Sequence, residues 1–190
     1  LGLGAASLAI PGCSNPANSS ASNGSKDRPN IIFLMADDMG YGDLGCYGAT
    51  QIPTPNIDRL ASQGIRFTDA HAPSALCTPT RYGVMTGRYC WRTRLKKGVI
   101  YGHSKPLIKP DRLTVPSLLR QHGYKTACIG KWHLGFEWAV KGDPKQPRED
   151  GMNVDYSKPV KNGPLEFGFD YFFGIAASLD MPPYCFIENN

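Results

Sequence analysis

Residues 75–87 read Ala75-Leu76-Cys77-Thr78-Pro79-Thr80-Arg81-Tyr82-Gly83-Val84-Met85-Thr86-Gly87. Thr78 followed by Pro79 is a helix-start signal, because a hydroxyl can cap the free N–H groups and proline loses no bond in the first turn. The sequence predicts a helix over 80–86, stopped by Gly87, which can adopt a left-handed C-cap. Cys77 then lies in the loop that opens the helix. Upstream, residues 30–35 (NIIFLM) form a short apolar run ending in Ala36-Asp37-Asp38. That run reads as a strand buried on both faces, as in a parallel sheet. The same punctuation recurs along the chain. Thr54-Pro55 opens a helix over 56–63 with Gly64 as its stop, and Thr114 caps one that runs through Leu118 and Leu119 to Gly123. Residues 65–68, 124–129 (closed by Gly130) and 170–173 are the other candidate strands. Strands alternating with helices indicate an α/β sheet with helices on its faces. Ligands bind such sheets outside the carboxyl ends of the strands, a placement that sets Asp37-Asp38, residues 131–133 and the Cys77 loop on one rim. Residues 141–164, dense in Pro, Gly, Lys and Asp, read as a surface excursion.

Composition narrows the class. Hydrophobic residues make up 41% of the 190 and charged residues 19%, which is too apolar for a disordered chain. No apolar run approaches the length of a membrane-spanning helix. The net charge of +5 has a location: Arg88, Arg92, Arg94, Lys96 and Lys97 stand within ten residues that hold no acid. Outside that stretch 21 − 5 = 16 basic residues balance 16 acidic ones. With Tyr89 and Trp91 interleaved, the patch reads as a solvated helix end and loop or as a device that steers an anionic substrate. No nucleic-acid module accompanies it, so nucleic acid is not expected as a partner. Residues 1–10 (LGLGAASLAI) followed by Pro11-Gly12-Cys13 read as the hydrophobic part of an export signal. Residues 10–13 also resemble a bacterial lipobox, which makes Cys13 a candidate lipid anchor and suggests a periplasmic, outer-membrane-anchored or extracellular location. Residues 14–26, rich in Ser, Asn and Gly, read as a flexible linker.

Adjacent carboxylates after a buried strand serve either as turn caps or as hard-cation ligands, since two acids so close repel unless a cation intervenes. The Cys77 segment decides between them. Its C-x-P-x-R core resembles the signature of type I sulfatases, the arylsulfatase family, with Thr80 where Ser is commoner. Residues 123–133 (GYKTACIGKWH) resemble that family's second signature, and Asp37-Asp38 its first metal-binding segment. The three motifs stand in the family's order.

The resemblance implies an alkaline-phosphatase-like three-layer α/β sandwich with a mixed, mostly parallel sheet, present here as its N-terminal part over 28–190. Residues 1–13 then form a truncated signal- or lipoprotein-like segment and 14–27 the linker. It implies a sulfuric ester hydrolase acting on an aryl or carbohydrate sulfate. Cys77, oxidised to formylglycine by a maturing enzyme, is metal ligand and nucleophile: one hydroxyl of the aldehyde hydrate attacks sulfur, and the other later expels sulfate. Asp37 and Asp38 bind Ca²⁺, with Mg²⁺ as the alternative. Arg81 holds the hydrate, Lys131 and Ser178 contact substrate, and His133 is the base of the elimination step. Members of the family are longer and draw a further Asp and Asn ligand, a Lys and a His from later positions, so the 190 residues are expected to be inactive alone. The alternatives are a phosphonate or phosphodiester hydrolase of the same superfamily and an inactive homologue that binds sulfated glycans. Of the six cysteines, Cys46, Cys90, Cys128 and Cys185 remain for three alternative pairings or as buried thiols, the reading favoured for Cys128. No CxxC pair suggests zinc.

Overall fold

The computed structural model describes residues 28–143 and 146–190. The predicted signal segment, the linker and Cys13 lie outside the described residues. The chain divides into two compact units at Ala36–Asp37. In the first, residues 28–36 adopt no regular element, with Ile32 and Leu34 82% and 83% exposed. The expected buried strand over 30–35 is therefore not formed: a strand is held by its ladder, and no residue of this run enters one.

In the second unit three helices and a three-stranded sheet carry the regular structure. Helix α1 spans Pro55–Gln63, α2 Cys77–Thr86 and α3 Val115–Gln121. Strands β1 (Ala127–Lys131), β2 (Tyr171–Ile175) and β3 (Phe186–Glu188) lie in that order, β1 parallel and β3 antiparallel to β2. This is the expected α/β class with a mixed sheet.

The helix punctuation holds where it is local. Thr54 and Gly64 bracket α1, and Gly87 closes α2 in the left-handed region at φ 65°. Thr114 caps α3 by accepting the Ser117 N–H, while the Ser117 hydroxyl accepts the Thr114 N–H. Helix α2, however, begins at Cys77, not Thr80, with Leu76 as its N-cap. Pro79 permits this because the first helical N–H groups have no partner within the helix. Thr78, expected to cap, instead turns its buried hydroxyl to the Ile100 N–H, 3.3 Å away.

Strand expectations fare less well. Residues 65–68 form no strand; the Phe67 carbonyl accepts from the Tyr47 hydroxyl at 2.8 Å rather than from a ladder. Strand β1 starts and ends later than the predicted 124–129 and runs through Gly130, whose φ of 101° a side chain would resist. On β2, Gly174 faces Gly130, and a Cβ there would stand 1.8 Å from the Gly130 carbonyl oxygen. The missing side chain of Gly174 thus lets β1 and β2 approach at the end that leads into residues 131–133, while Gly130 supplies the positive φ. Among the described residues, the crossover between these parallel strands carries no helix.

The core gathers Tyr82 and Met85 from α2, Phe172 from β2, and Trp132, Leu134, Phe136 and Trp138 from the segment after β1. Val154 and Val160 join it, so the excursion over 141–164 is pinned at both ends, through bridges Val140–Val154 and Glu137–Lys161. It is not purely a surface loop. All five described cysteines are free thiols. Burial pushes Cys128 up to about 11, so that thiol stays protonated.

Candidate active site

The parallel strands point their carboxyl ends at one place. Lys131 is the last residue of β1, and Ser178 lies three residues past the end of β2. The Lys131 ammonium donates to Asp37 Oδ2 at 2.9 Å and to Ser178 Oγ at 3.2 Å. Its side chain is almost wholly buried while Asp37 is half exposed, so the pair sits at the rim of the unit. Arg81 arrives from the second turn of α2. Its Nη2 lies 3.7 Å from Asp37 Oδ1, and its Nη1 donates to the Lys131 carbonyl. Four side chains separated by up to 141 positions thus meet. The hydrogen bond from Lys131, with the charges of Lys131 and Arg81, holds the Asp37 carboxyl below its ordinary range.

Arg81 Nε is buried and without a hydrogen-bond partner. A guanidinium N–H left dry costs free energy unless something accepts from it, so this donor is set for an anionic or carbonyl group.

His133 is 0% exposed and takes a left-handed φ of 56°. Its Nε2 lies 2.7 Å from the Ile100 carbonyl oxygen. A carbonyl only accepts, which assigns the ring proton to Nε2 and leaves Nδ1 as a bare lone pair. That Nδ1 is buried and has no partner. Burial lowers the His133 pKa to about 4, with the charges of Lys131 and Arg81 acting the same way, so the imidazole is neutral at physiological pH. Ile100 is held at both of its backbone groups, by Thr78 at its N–H and by His133 at its carbonyl. The residue next to Cys77 is thereby coupled to His133 through one backbone unit.

Cys77 occupies the first position of α2, where free backbone N–H groups and the helix dipole favour negative charge. The loop before it is tied down by the Thr80 hydroxyl, which donates to the Ser74 carbonyl at 2.6 Å. A threonine hydroxyl performs this bond as well as a serine would.

The expected metal donors are only partly assembled. Asp37 and Asp38 offer the hard oxygens that Ca²⁺ or Mg²⁺ prefer. Yet among the described residues no three His, Cys, Asp or Glu side chains lie together as a ligand group, so Cys77 does not join the two aspartates in one. Asp37 spends its carboxylate on Lys131 and Arg81, and Asp38 sits in the left-handed region at φ 59°.

The sequence motifs missed three participants. Ile100 holds His133 and Thr78 holds Ile100, and no local pattern announces these partners. Asp180, two residues beyond Ser178, has its pKa lowered by hydrogen bonds with the Ser178 side chain and with its own backbone, and by the charge of Lys131. It extends the network to Asp180–Ser178–Lys131–Asp37.

A mixed α/β sheet with polar residues gathered at its carboxyl rim is the arrangement of the alkaline-phosphatase-like class, whose solved members share this fold. Residues 29–190 match the sequence model of the family described as Sulfatase. The chain belongs to that family. It is 41% identical over 180 residues to an N-acetylgalactosamine-6-O-sulfatase of Bacteroides thetaiotaomicron, covering 95% of this chain and 32% of that protein. A human steryl-sulfatase is 45% identical over 154 residues, 78% of this chain and 24% of the relative. A solved structure from B. thetaiotaomicron, described in connection with the metabolism of multiple glycosaminoglycans, superposes with a TM-score of 0.74 at 43% identity, covering 85% of this chain and 31% of that one. The chain thus spans about a third or less of the length of these relatives.

Proposed function

We propose that the protein hydrolyses sulfate monoesters, with Cys77 supplying the nucleophile. The observation that carries this reading is the meeting of Lys131, Arg81, Asp37 and Ser178 in a chain of the sulfatase family. A sulfate monoester is anionic, and Lys131 with Arg81 presents the cations that bind its oxygens. The Cys77 end of α2 adds the positive end of a helix dipole. The free lone pair of His133 on Nδ1 is where it would take a hydroxyl proton, and its lowered pKa makes it a weak base in this state. The Ile100 carbonyl, bonded to Nε2–H, fixes the tautomer that makes Nδ1 the basic atom.

Cys77 oxidised to formylglycine by a maturing enzyme would supply an aldehyde hydrate that is both nucleophile and, on collapse, the means of expelling sulfate. A Ca²⁺ or Mg²⁺ ion held with the help of Asp37 and Asp38 would polarise a sulfate oxygen. Similar proteins are named for an amino-sugar sulfate, a steryl sulfate and aryl sulfates, so aryl and carbohydrate sulfates are the substrate classes to test. Residues 1–13 support export, with Cys13 as the lipid attachment site.

The test is made on the full-length protein co-expressed with a maturing enzyme. Peptide mass spectrometry should find formylglycine at position 77, and Cys77→Ala should lose turnover of an aryl sulfate while keeping its melting temperature. Wild-type turnover in that variant, or a higher kcat/KM for the matched phosphodiester, refutes the reading.

A further inference from the structure

The loop after α2 holds an aromatic platform that the sulfate-ester site does not use. Residues Cys90–Arg92 form one 3-10 turn, closed by the Thr93 N–H to the Cys90 carbonyl at 2.8 Å. Cys90 is buried in the core, and its two neighbours are consequently turned outward: Tyr89 is 57% and Trp91 59% exposed. Their rings stack on each other, centroids 6.1 Å apart and planes within 18°. The support is backbone-anchored. Lys96 Nζ donates to the Trp91 carbonyl at 3.0 Å, and the Arg94 guanidinium donates to the carbonyls of Lys105 and Pro106. Arg88 and Arg92 flank the rings, both exposed. None of the ion pairs among the described residues involves them, and the ten-residue stretch contains no acid.

Two large aromatic faces kept in water by a fixed scaffold, with unneutralised guanidinium groups on either side, fit a ligand that is both ring-shaped and anionic. Sugar rings lay their C–H faces on aromatic rings, and a guanidinium fork matches the oxygens of a sulfate group. Cys77 opens α2 and the platform follows its other end, the helix being about 15 Å long at 1.5 Å per residue over ten residues. A ligand that touches both is a polymer of several rings.

We propose that Tyr89 and Trp91, with Arg88 and Arg92, form a binding platform for sulfated polysaccharide, separate from the sulfate-ester site at Cys77. The choice of sulfated glycan over another anionic polymer rests on the proposed sulfatase activity; the platform itself does not. The platform retains a chain on the enzyme between or during turnovers and concentrates it near the site.

The experiment uses the full-length protein carrying Cys77→Ala, so that binding is read without turnover. Affinity electrophoresis against chondroitin sulfate, desulfated chondroitin and oligo-dT supplies the probes. Tyr89→Ala/Trp91→Ala should weaken chondroitin sulfate binding about tenfold or more, and Arg88→Gln/Arg92→Gln should weaken it and flatten its salt dependence. In the unmutated-Cys77 background both double variants should keep kcat/KM on a small aryl sulfate. Unchanged chondroitin sulfate binding in both double variants overturns the platform, as does equal retention of desulfated chondroitin. Tighter binding of oligo-dT overturns the glycan assignment. Absence of aryl sulfate turnover with binding intact would sink the activity and leave the platform standing.

Discussion

Burial of His133 makes the stability of this protein fall as pH falls below the ordinary histidine range. The folded pKa is lowered from 6.5 to about 4, first by desolvation. Between those values the unfolded chain holds the proton and the folded chain does not, so stability rises with pH there and is lost on acidification. From pH 7 to 4.5 the loss integrates to roughly 2.4 kcal/mol. The aspartates with lowered pKa values, among them Asp37 and Asp180, act in the same direction but at lower pH, because their ordinary value is 3.8. His103 is also buried and lowered, so it adds to the same window, and a subtraction isolates His133. His133→Gln keeps an N–H donor for the Ile100 carbonyl and cannot titrate. Urea unfolding of both proteins at pH 7 and 4.5 supplies the measurement. The wild type should lose roughly 2.4 kcal/mol more than the variant over that interval. Equal losses, or a wild type that gains stability on acidification, would refute a buried neutral His133.

Two further outcomes follow from close contacts near the site. Gly174→Ala places a methyl 1.8 Å from the Gly130 carbonyl oxygen and must push β1 away from β2, at a cost of about 1–3 kcal/mol or more. Gly42→Ala, with open space around its Cβ, should leave the melting curve unchanged, and a Gly174→Ala protein that also melts like wild type contradicts the strand contact. Thr78→Val strips the acceptor from the Ile100 N–H, which should cost about 1–3 kcal/mol and lower kcat on an aryl sulfate through His133. Thr78→Ser should restore both; failure of that rescue would separate Thr78 from His133.

What was legible in the sequence is what local chemistry decides. Thr54-Pro55, Gly64, Gly87 and Thr114 fix helix ends because caps and left-handed stops act over a few residues. The strands were less legible, since a ladder depends on residues far away. The run over 30–35 looks like a buried strand and is exposed, while β3 carries no signal that the sequence reading used. The α2 start moved from Thr80 to Cys77 for a similar reason, as Thr78 finds a distant partner in Ile100.

The site divides along the same line. The sequence pointed to Asp37, Asp38, Cys77, Arg81, Lys131 and His133 through motifs that resemble a known family, and to Ser178 by its position in that resemblance. Only the tertiary structure decided that the Lys131 ammonium lies between Asp37 and Ser178, that Arg81 backs the same carboxylate, and that His133 keeps Nδ1 free. Motifs record which residue types the chemistry needs. Protonation states, tautomers and ion pairs arise from burial and from neighbours up to 94 positions apart, and those exist only once the chain has folded.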